Sequence, residues 1–311
     1  MKPSKGVPSP LHRRLTRCTP HNAEEDLVVV TSIDPVLDAQ HPVPPGEFFD
    51  PPPSAGQEWQ TAPPWFDGAG WIMPMGGFLL RSGDRTILVD AGLGPNIDIV
   101  ETRGKLFDSL ADLGVAPEQI TDVVLTHLHL DHVGWVAPAG EPIFTHARHH
   151  CHRADYDWMR ADPGGNPATA RVTDTIRAVS DLLDLAEGER TEIADSVALR
   201  LFAGHTPGNC VGEIETGEAR VLLLGDTAHH PVLLVEDGWT DRLDEDRAAA
   251  ARARDRLAQE MERTGAIGLG AHFPGTQGGR IIRDKQGARQ WQPIPSNRIH
   301  TNSTHMKGID R

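Results

Sequence analysis

The segment His127–His132 places three histidines and one aspartate within six residues, immediately after a run of apolar residues. Burying so many polar side chains at the edge of a core is costly unless each finds a partner, and a metal ion can partner all of them. His127 and His129 lie two residues apart, so in an extended chain both side chains point the same way. Asp131 and His132 follow beyond the bend and can face a second ion. The spacing therefore predicts a two-metal site at the end of a buried strand, the alternative being a histidine-rich surface loop.

Three later positions, each at the end of an apolar segment, supply the additional ligands that two metals would need. His205 lies in a Gly-His-Thr-Pro-Gly turn, Asp226 follows the apolar run Val221–Leu224, and His272 follows Ile267–Gly270. A single histidine or aspartate at a strand end is usually a turn or capping residue. All three in this order, after the dense first cluster, favour metal binding.

These motifs resemble those of the metallo-β-lactamase-fold hydrolase superfamily. The segment Ile87–Gly94 is also similar to the first motif of that family, whose aspartate, here Asp90, supports the metal ligands by hydrogen bonding. The resemblance implies that one ion is bound by His127, His129 and His205, that the other is bound by Asp131, His132 and His272, and that Asp226 bridges both. It implies two divalent ions, with Zn²⁺ expected and Mn or Fe as alternatives.

The segment Gly225–Pro231 further resembles the branch that holds methyl parathion hydrolases and quorum-quenching lactonases. True β-lactamases of the superfamily lack the bridging aspartate. In acyl-homoserine lactonases a tyrosine three residues after that aspartate helps to polarise the substrate carbonyl. That position is His229 here, and the only tyrosine in the chain is Tyr156. We therefore expect acyl-homoserine lactones to be less favoured substrates, and His229 is our candidate for an additional hydrogen-bond donor.

The expected reaction is hydrolysis, in which a hydroxide between the two ions attacks an ester, a lactone or a phosphotriester. Asp131, Asp226 and His229 are the candidate catalytic residues, and Asp131 is also a possible proton shuttle. Trp65, Trp71 and Trp135 are predicted to wall a pocket for a small-molecule substrate. The alternatives are a thioesterase or biosynthetic tailoring hydrolase, an iron-dependent redox enzyme, and a non-catalytic member of the fold.

The order of apolar segments predicts an α/β fold in which two stacked mixed β-sheets carry helices on both outer faces, an αββα sandwich. The predicted strands are Gly77–Arg81, Thr86–Asp90, Thr121–Thr126, Ile143–His146, Ser196–Phe202, Gly212–Glu215, Arg220–Leu224 and Ala266–Gly270. The predicted helices cover about Ile97–Leu113, Ala168–Leu185 and Asp244–Thr264.

The ends of the chain differ in composition from its middle. Residues 1–64 contain 13 of the 25 prolines and are predicted to be an extension, either a lid or a dimerisation arm, with one possible strand at 27–33. The hydrolase domain is expected at 65–290, followed by a tail at 291–311. The run His146–His152 could be a second metal cluster, but we expect it to be a solvated helix start.

The net charge of −14 disfavours binding to nucleic acid or to anionic membrane, because both reward a positive surface. The three cysteines have no metal-finger spacing and imply no disulfide framework. With no apolar segment long enough for a signal peptide or a membrane span, we expect a cytoplasmic protein. A homodimer is compatible with the proline-rich arm.

Overall fold

The computed structural model describes residues 28–56, 58–61, 65–66, 70–95, 104–161, 167–276 and 278–294. Within these ranges the chain forms fifteen strands: β1 (Val30–Val43), β2 (Phe49–Asp50), β3 (Trp71–Ser82), β4 (Arg85–Val89), β5 (Asp122–Val124), β6 (Arg148–His152), β7 (Leu183–Ala186), β8 (Arg190–Ala194), β9 (Val197–Leu201), β10 (Cys210–Glu215), β11 (Arg220–Leu223), β12 (Thr240–Asp241), β13 (Ile267–Leu269), β14 (Gly278–Arg283) and β15 (Arg289–Ile294). The same ranges hold seven α-helices: α1 (Pro45–Phe48), α2 (Leu106–Asp112), α3 (Leu130–Val133), α4 (Arg153–Arg160), α5 (Pro167–Ala178), α6 (Val232–Val235) and α7 (Arg247–Thr264).

The strands form two large mixed sheets and one small one. The first sheet has the order β1-β3-β4-β5-β6-β7, and β4 to β7 run parallel to one another. The second sheet has the order β15-β14-β13-β11-β10-β9-β8, with β11 and β13 parallel. The small sheet pairs β12 with β2.

Three apolar layers hold these sheets and helices together. The middle layer lies between the two sheets and joins residues such as Leu80 and Ile87 of the first sheet to Val221 and Leu269 of the second. One outer layer packs α2, α4 and α5 on the first sheet, and the other packs α6 and α7 on the second. This arrangement confirms the predicted αββα sandwich.

The first strand is twice as long as the predicted segment 27–33, of which Leu27 lies outside the described residues. β1 runs for 14 residues and, among the strands of the described ranges, pairs only with β3, so it is the edge of the first sheet. An edge strand tolerates Pro35 and Pro42, because the missing N–H groups can face away from the neighbouring strand. The boundary at residue 64 stays a prediction, but the proline-rich segment contributes this edge strand.

Two predicted helices differ from the observed ones. Residues 97–103 of the first lie outside the described part of the chain, and the described helix there is α2. The predicted helix Ala168–Leu185 is too long, because α5 ends at Ala178 and the chain continues as the strand β7. The third predicted helix, Asp244–Thr264, is present but begins later, at Arg247. Asp246 is its N-cap, and its carboxylate accepts a hydrogen bond from the Ala249 amide.

The prediction of a solvated helix start at His146–His152 is wrong for most of that run. Residues Arg148–His152 form β6, the predicted strand Ile143–His146 is not a strand, and the helix begins only at Arg153. His149 and His150 are buried, and His150 contacts the Asp122 carboxylate, with 3.0 Å between Nε2 and Oδ1. Histidine is compatible with a buried strand when its ring packs between neighbours, which the alternation of apolar residues alone does not reveal.

Because His149 is buried, we expect the free energy of unfolding to fall in acid. Burial lowers the pKa of this imidazole to about 4, below its ordinary value of 6.5. Between these two values the unfolded chain binds a proton that the folded chain does not, so the free energy of unfolding falls as pH drops. Between pH 7 and pH 5 the free energy of unfolding should fall by about 2 kcal/mol less in His149→Leu than in the native protein.

Urea unfolding at the two pH values measures this difference. His146→Leu is the matched control, because His146 lies on the same segment and is exposed. Equal pH dependence in the His149→Leu variant and the native protein would contradict the expectation.

In the described part of the chain, no helix combines the length and the apolar character needed to cross a membrane.

Candidate metal centre

The predicted ligands lie at strand ends on one edge of the sandwich, and both sheets contribute. His127 and His129 follow β5 of the first sheet, and Asp131 and His132 lie in α3 immediately after them. The second sheet contributes the loops after β9, β11 and β13, which hold the other three ligands: His205, Asp226 and His272. All seven side chains meet in one cluster, in which His129 and Asp131 are partly exposed and the other five are buried.

Asp226 is at the middle of this cluster. Its Oδ2 atom lies 3.5 Å from His127 Nε2, 3.3 Å from His132 Nε2 and 3.4 Å from His205 Nε2. Its Oδ1 atom lies 3.3 Å from His272 Nε2. The carboxylate therefore has ligand-type nitrogens on both oxygens, as expected for a residue between two ions.

The remaining distances describe how the other candidate ligands are grouped. His129 Nδ1 lies 3.0 Å from His205 Nε2. Asp131 Oδ2 lies 3.5 Å from His272 Nε2 and 3.8 Å from His132 Nε2. Two groups of potential ligands result, each with atoms within 4.8 Å of one another: His127, His129, His205 and Asp226, and Asp131, His132 and His272.

The donor set fits a divalent metal. His127 Nε2 and Asp226 Oδ1 are buried and lack a hydrogen-bond partner among the residues that the structure describes. A buried polar atom without a partner costs free energy, which an ion at the centre of the cluster would recover. Imidazole nitrogens and carboxylate oxygens are the ligands that Zn²⁺ and similar ions accept.

Burial and charge keep His127, His205 and Asp226 in the form that binds metal, whereas neighbouring carboxylates outweigh burial and raise the pKa of His132 well above 6.5. Burial lowers the pKa of His127 and His205 well below 6.5, so their lone pairs are free. Burial acts to raise the pKa of Asp226, but His132, His229 and other histidines outweigh it and lower this pKa well below its ordinary value. The carboxylate therefore stays ionised.

Asp90 takes the supporting position that was predicted for it. Its carboxylate accepts hydrogen bonds from the Thr126 amide at 2.8 Å and the Thr126 hydroxyl at 2.9 Å, and it lies 2.9 Å from His132 Nδ1. Asp90 has a left-handed backbone conformation, with φ of 61°, which is strained for a non-glycine residue. Partners on both sides of the carboxylate hold this conformation in place.

Other histidines of the cluster also have an acceptor behind the ring. His272 Nδ1 lies 2.8 Å from the carbonyl oxygen of Pro74. His205 Nδ1 lies 3.6 Å from Asp244 Oδ1, and the second oxygen of Asp244 pairs with Arg254 at 2.8 Å. The Pro74 carbonyl is within hydrogen-bond distance, so it can orient the His272 ring and fix its tautomer, whereas the separation of His205 from Asp244 is longer than a hydrogen bond.

His229 stands beside Asp226, with 3.0 Å between its Nε2 atom and Oδ2. Its Nδ1 atom lies 2.7 Å from Asp241 Oδ2, and both residues are buried. Burial opposes protonation, but Asp241 and Asp226 raise the pKa of His229 well above 6.5. The ring therefore lies in a strongly negative environment between two carboxylates.

Asp155 joins two of the ligand loops. It is fully buried, and its carboxylate accepts hydrogen bonds from the Leu128 amide at 3.0 Å, the Thr206 hydroxyl at 2.9 Å and the Gly208 amide. Leu128 lies between two predicted ligands, and Thr206 follows a third. Asp155 thus fixes the His127–His129 loop relative to the His205 loop.

Asp38, on the edge strand β1, organises the loop of the first motif. Its carboxylate is fully buried and accepts hydrogen bonds from the amides of Leu93, Gly94 and Leu106, at 2.9 to 3.1 Å, and from Trp135 Nε1 at 2.8 Å. Because this aspartate belongs to the proline-rich segment, that segment is part of the framework around the centre.

The loop of the first motif also approaches α3 closely. A Cβ atom on Gly134 would lie 2.1 Å from the backbone carbonyl carbon of Leu93, and one on Gly94 would lie 2.4 Å from the oxygen of Gly134. Gly94 further has a left-handed φ of 79°. Only glycine permits this approach, which brings Asp90 within reach of His132.

The three predicted pocket tryptophans lie in different surroundings. The Trp71 indole is buried and donates to the carbonyl oxygen of His272 at 3.1 Å, so it supports that ligand loop. Trp65 donates to Glu236 and packs edge-on against His230. Trp135 is held by Asp38 and packs on Phe107. Their role as pocket walls stays a prediction.

Sequence reasoning missed Asp38, Asp155, Asp241 and Asp244. The last two lie in the stretch 236–246, which contains six acidic residues that the sequence does not distinguish. Asp155 belongs to no recognisable motif. Asp38 lies in β1, whose prolines argue against a strand in the sequence. Only the folded chain shows that these four are buried.

Comparison with known proteins agrees with this architecture. A family model described as the metallo-beta-lactamase superfamily matches residues 77–261, more than half of the chain. A mouse protein, metallo-beta-lactamase domain-containing protein 1, is 47% identical over 57 residues, a match that spans 17% of this chain and only 21% of the mouse protein.

Solved structures resemble the chain over most of its length. The hydrolase AbOPH of the beta-lactamase superfamily superimposes with a TM-score of 0.73 at 21% identity, over 86% of this chain and 97% of its own. AidC, a dizinc quorum-quenching lactonase solved with the product N-hexanoyl-L-homoserine, gives 0.72 at 21% identity, over 87% and 99%. A probable metal-dependent hydrolase from Staphylococcus aureus gives 0.68 at 18% identity, over 85% and 96%. At these identities the likeness concerns the fold.

Proposed function

Because the chain belongs to the metallo-β-lactamase superfamily, we propose that it is a hydrolase that uses two divalent ions, preferably Zn²⁺, to cleave an ester, lactone or phosphotriester bond. The observation that carries this proposal is the position of Asp226. Its two oxygens face histidines of both predicted ligand groups, which is the arrangement that two ions with one shared carboxylate require.

His127, His129 and His205 would hold one ion, and Asp131, His132 and His272 the other. When bound, the ions would make hydroxide available near pH 7 and polarise the carbonyl or phosphoryl oxygen of the substrate. The protein's own contribution is to hold its ligands in place, through burial and through the acceptors behind His132 and His272.

Asp131 differs from the other predicted carboxylate ligand in being open to solvent. Its side chain is 24% exposed, compared with 2% for Asp226. A carboxylate at the surface of the site can exchange a proton with solvent, whereas a fully enclosed one cannot. We therefore propose that Asp131, as an ionised carboxylate, takes up the proton that the attacking hydroxide loses and passes it to the departing oxygen.

A cavity of about 770 Å³ is lined by residues of α3, α5 and the loops beside them, and none of the predicted metal ligands is among its lining residues. Leu130, which separates His129 from Asp131, is one of its lining residues, with Leu93 and Gly134 on the same side. Arg171 and Arg177 of α5 lie among the residues of the opposite side. A cavity of this size suits a small molecule rather than a polymer. The similar fold of AidC, a dizinc lactonase, is consistent with a lactone among the candidate substrates.

A substrate panel on metal-free and metal-loaded protein tests the proposal. We expect chelated protein to be inactive, and two equivalents of Zn²⁺ per chain to restore hydrolysis of at least one ester, lactone or phosphotriester. An acyl-homoserine lactone belongs in the panel, because His229 replaces the tyrosine of the enzymes that cleave it. Thioesters belong there as the competing substrate class.

Two results would overturn the proposal. Protein that holds two ions and turns over no member of the panel would be a metal-binding protein without hydrolytic activity. Protein that turns over thioesters alone would be a thioesterase.

A further inference from the structure

His229 lies among the predicted ligands without having been assigned as one. Its Nε2 atom is closer to Asp226 Oδ2, at 3.0 Å, than the corresponding nitrogens of His127, His132 and His205, which lie 3.3 to 3.5 Å away. Its ring stacks on the ring of His272, with centroids 5.2 Å apart and an angle of 16° between the planes. His229, Asp226 and His272 form a third group whose ligand-type atoms lie within 4.8 Å of one another.

The side of His229 that faces away from the cluster has the partner expected of a metal ligand. Nδ1 lies 2.7 Å from Asp241 Oδ2, closer than the 2.9 Å between His132 Nδ1 and Asp90. Metal-binding histidines almost always donate their second ring N–H to a carboxylate, a backbone carbonyl or a water. Asp241 is fully buried, so a charged acceptor has been placed there at considerable desolvation cost.

This partner also decides what Nε2 can do in a neutral ring. A neutral imidazole carries one N–H, and the Asp241 carboxylate can only accept, so the proton lies on Nδ1. Nε2 then carries a lone pair directed at the cluster. In this state Nε2 can bind an ion, whereas in the protonated ring, which Asp241 and Asp226 favour in the absence of metal, it would donate a hydrogen bond instead.

The proline-rich segment holds Asp241 in position. Asp241 lies in β12, which pairs with β2, the strand formed by Phe49 and Asp50. Next to it, Arg242 pairs with Asp50 at 2.6 Å, and the Arg242 amide donates to the carbonyl oxygen of Phe48 at 2.7 Å. The Phe48 ring packs edge-on against His229, with centroids 5.8 Å apart. Residues 48–50 therefore fix both members of the Asp241–His229 pair.

We propose that His229 Nε2 is an additional metal ligand, on the ion shared by Asp226 and His272, and that Asp241 is its positioning residue. The inference rests on the proposed function in one respect, that the centre binds divalent metal. It changes the role of His229, three residues after the proposed bridging aspartate, from contacting the substrate to binding an ion. It also gives residues 48–50 a defined task, to keep that ligand in place.

Metal titration without substrate tests the proposal. Protein stripped with a chelator is titrated with Co²⁺, whose visible absorption depends on coordination number, and with Zn²⁺ in competition with a chromophoric chelator. We expect His229→Ala to weaken one of the two binding steps at least tenfold and to alter the Co²⁺ spectrum. Asp241→Asn should weaken the same step by about 10- to 100-fold, with the ligand itself retained.

His230→Ala is the matched control, because His230 is the next residue, is equally buried and packs among Phe49, Trp65, Phe66 and Trp71 instead of facing the cluster. It should bind both ions like the native protein. Far-ultraviolet circular dichroism establishes that each variant is folded, and Asp241→Asn tests the pair independently if His229→Ala does not fold.

The outcomes separate this inference from the proposed function. If folded His229→Ala or Asp241→Asn binds both ions with native affinity and an unchanged Co²⁺ spectrum, His229 is not a ligand, although the hydrolase proposal stands. If binding is native and only turnover falls, His229 acts on the substrate and the inference is wrong. If the native protein binds no divalent ion, the proposed function fails as well.

Discussion

Asp226→Asn is expected to lower kcat/KM for the best substrate by about 10³-fold, because metal assistance contributes several kcal/mol of transition-state stabilisation. Asparagine keeps the size of the side chain but loses its charge and one of the two oxygens that face the ligand groups. The carboxylate is 2% exposed and has ligand-type nitrogens on both sides, so no neighbouring group can take its place. Metal analysis should show fewer than two ions per chain in the variant.

Asp255→Asn is the control for this experiment, because Asp255 is an exposed acidic residue on α7 far from any predicted ligand in sequence. It should keep both the activity and the metal content. If Asp226→Asn retains full activity with a native complement of ions, the two-ion proposal is wrong.

Asp38→Ala is expected to lower the free energy of unfolding by about 3–5 kcal/mol, because several buried donors lose their acceptor and each unsatisfied donor costs about 1–3 kcal/mol. The alanine would leave the amides of Leu93, Gly94 and Leu106 and the Trp135 indole without their shared acceptor. Denaturation in urea, followed by tryptophan fluorescence, measures the loss.

Asp38→Asn provides a graded comparison, because its amide oxygen can still accept from some of these donors. We expect its stability to lie between those of the native protein and the alanine variant. An alanine variant as stable as the native protein would mean that water replaces the carboxylate, and that the proline-rich segment is less important to the centre than its contacts indicate.

The sequence was most informative where local pattern and chemistry coincide. β5, β11 and β13 are apolar runs that end in metal-ligand residues, so the strand and the site were recognised together. β8, β14 and β15 were not predicted from the sequence, because they are short and carry charged or polar residues such as Arg190, Arg283 and Gln292 on exposed faces. β6 was misplaced because histidine occupies positions where the pattern would require an apolar residue.

The residues of the cluster could be picked out from the sequence as candidate ligands, whereas most of the residues that position them could not. Histidines in a dense motif are unusual enough in sequence to be noticed. An aspartate such as Asp155 becomes informative only when the fold removes it from water and brings Leu128, Thr206 and Gly208 to it. Asp90 is the exception, since it lies within a motif that the family resemblance identifies.

The division of ligands between the sheets has a consequence for the energetics of the whole domain. His132 and His272 are separated by 140 residues of chain, and their ring nitrogens lie 3.4 Å apart. An ion held between them closes a loop of that length, so it acts as a removable cross-link, and its contribution grows with the logarithm of the loop length. Chelation would then open this cross-link without breaking a covalent bond, and the supply of metal would set how firmly one half of the sandwich is attached to the other.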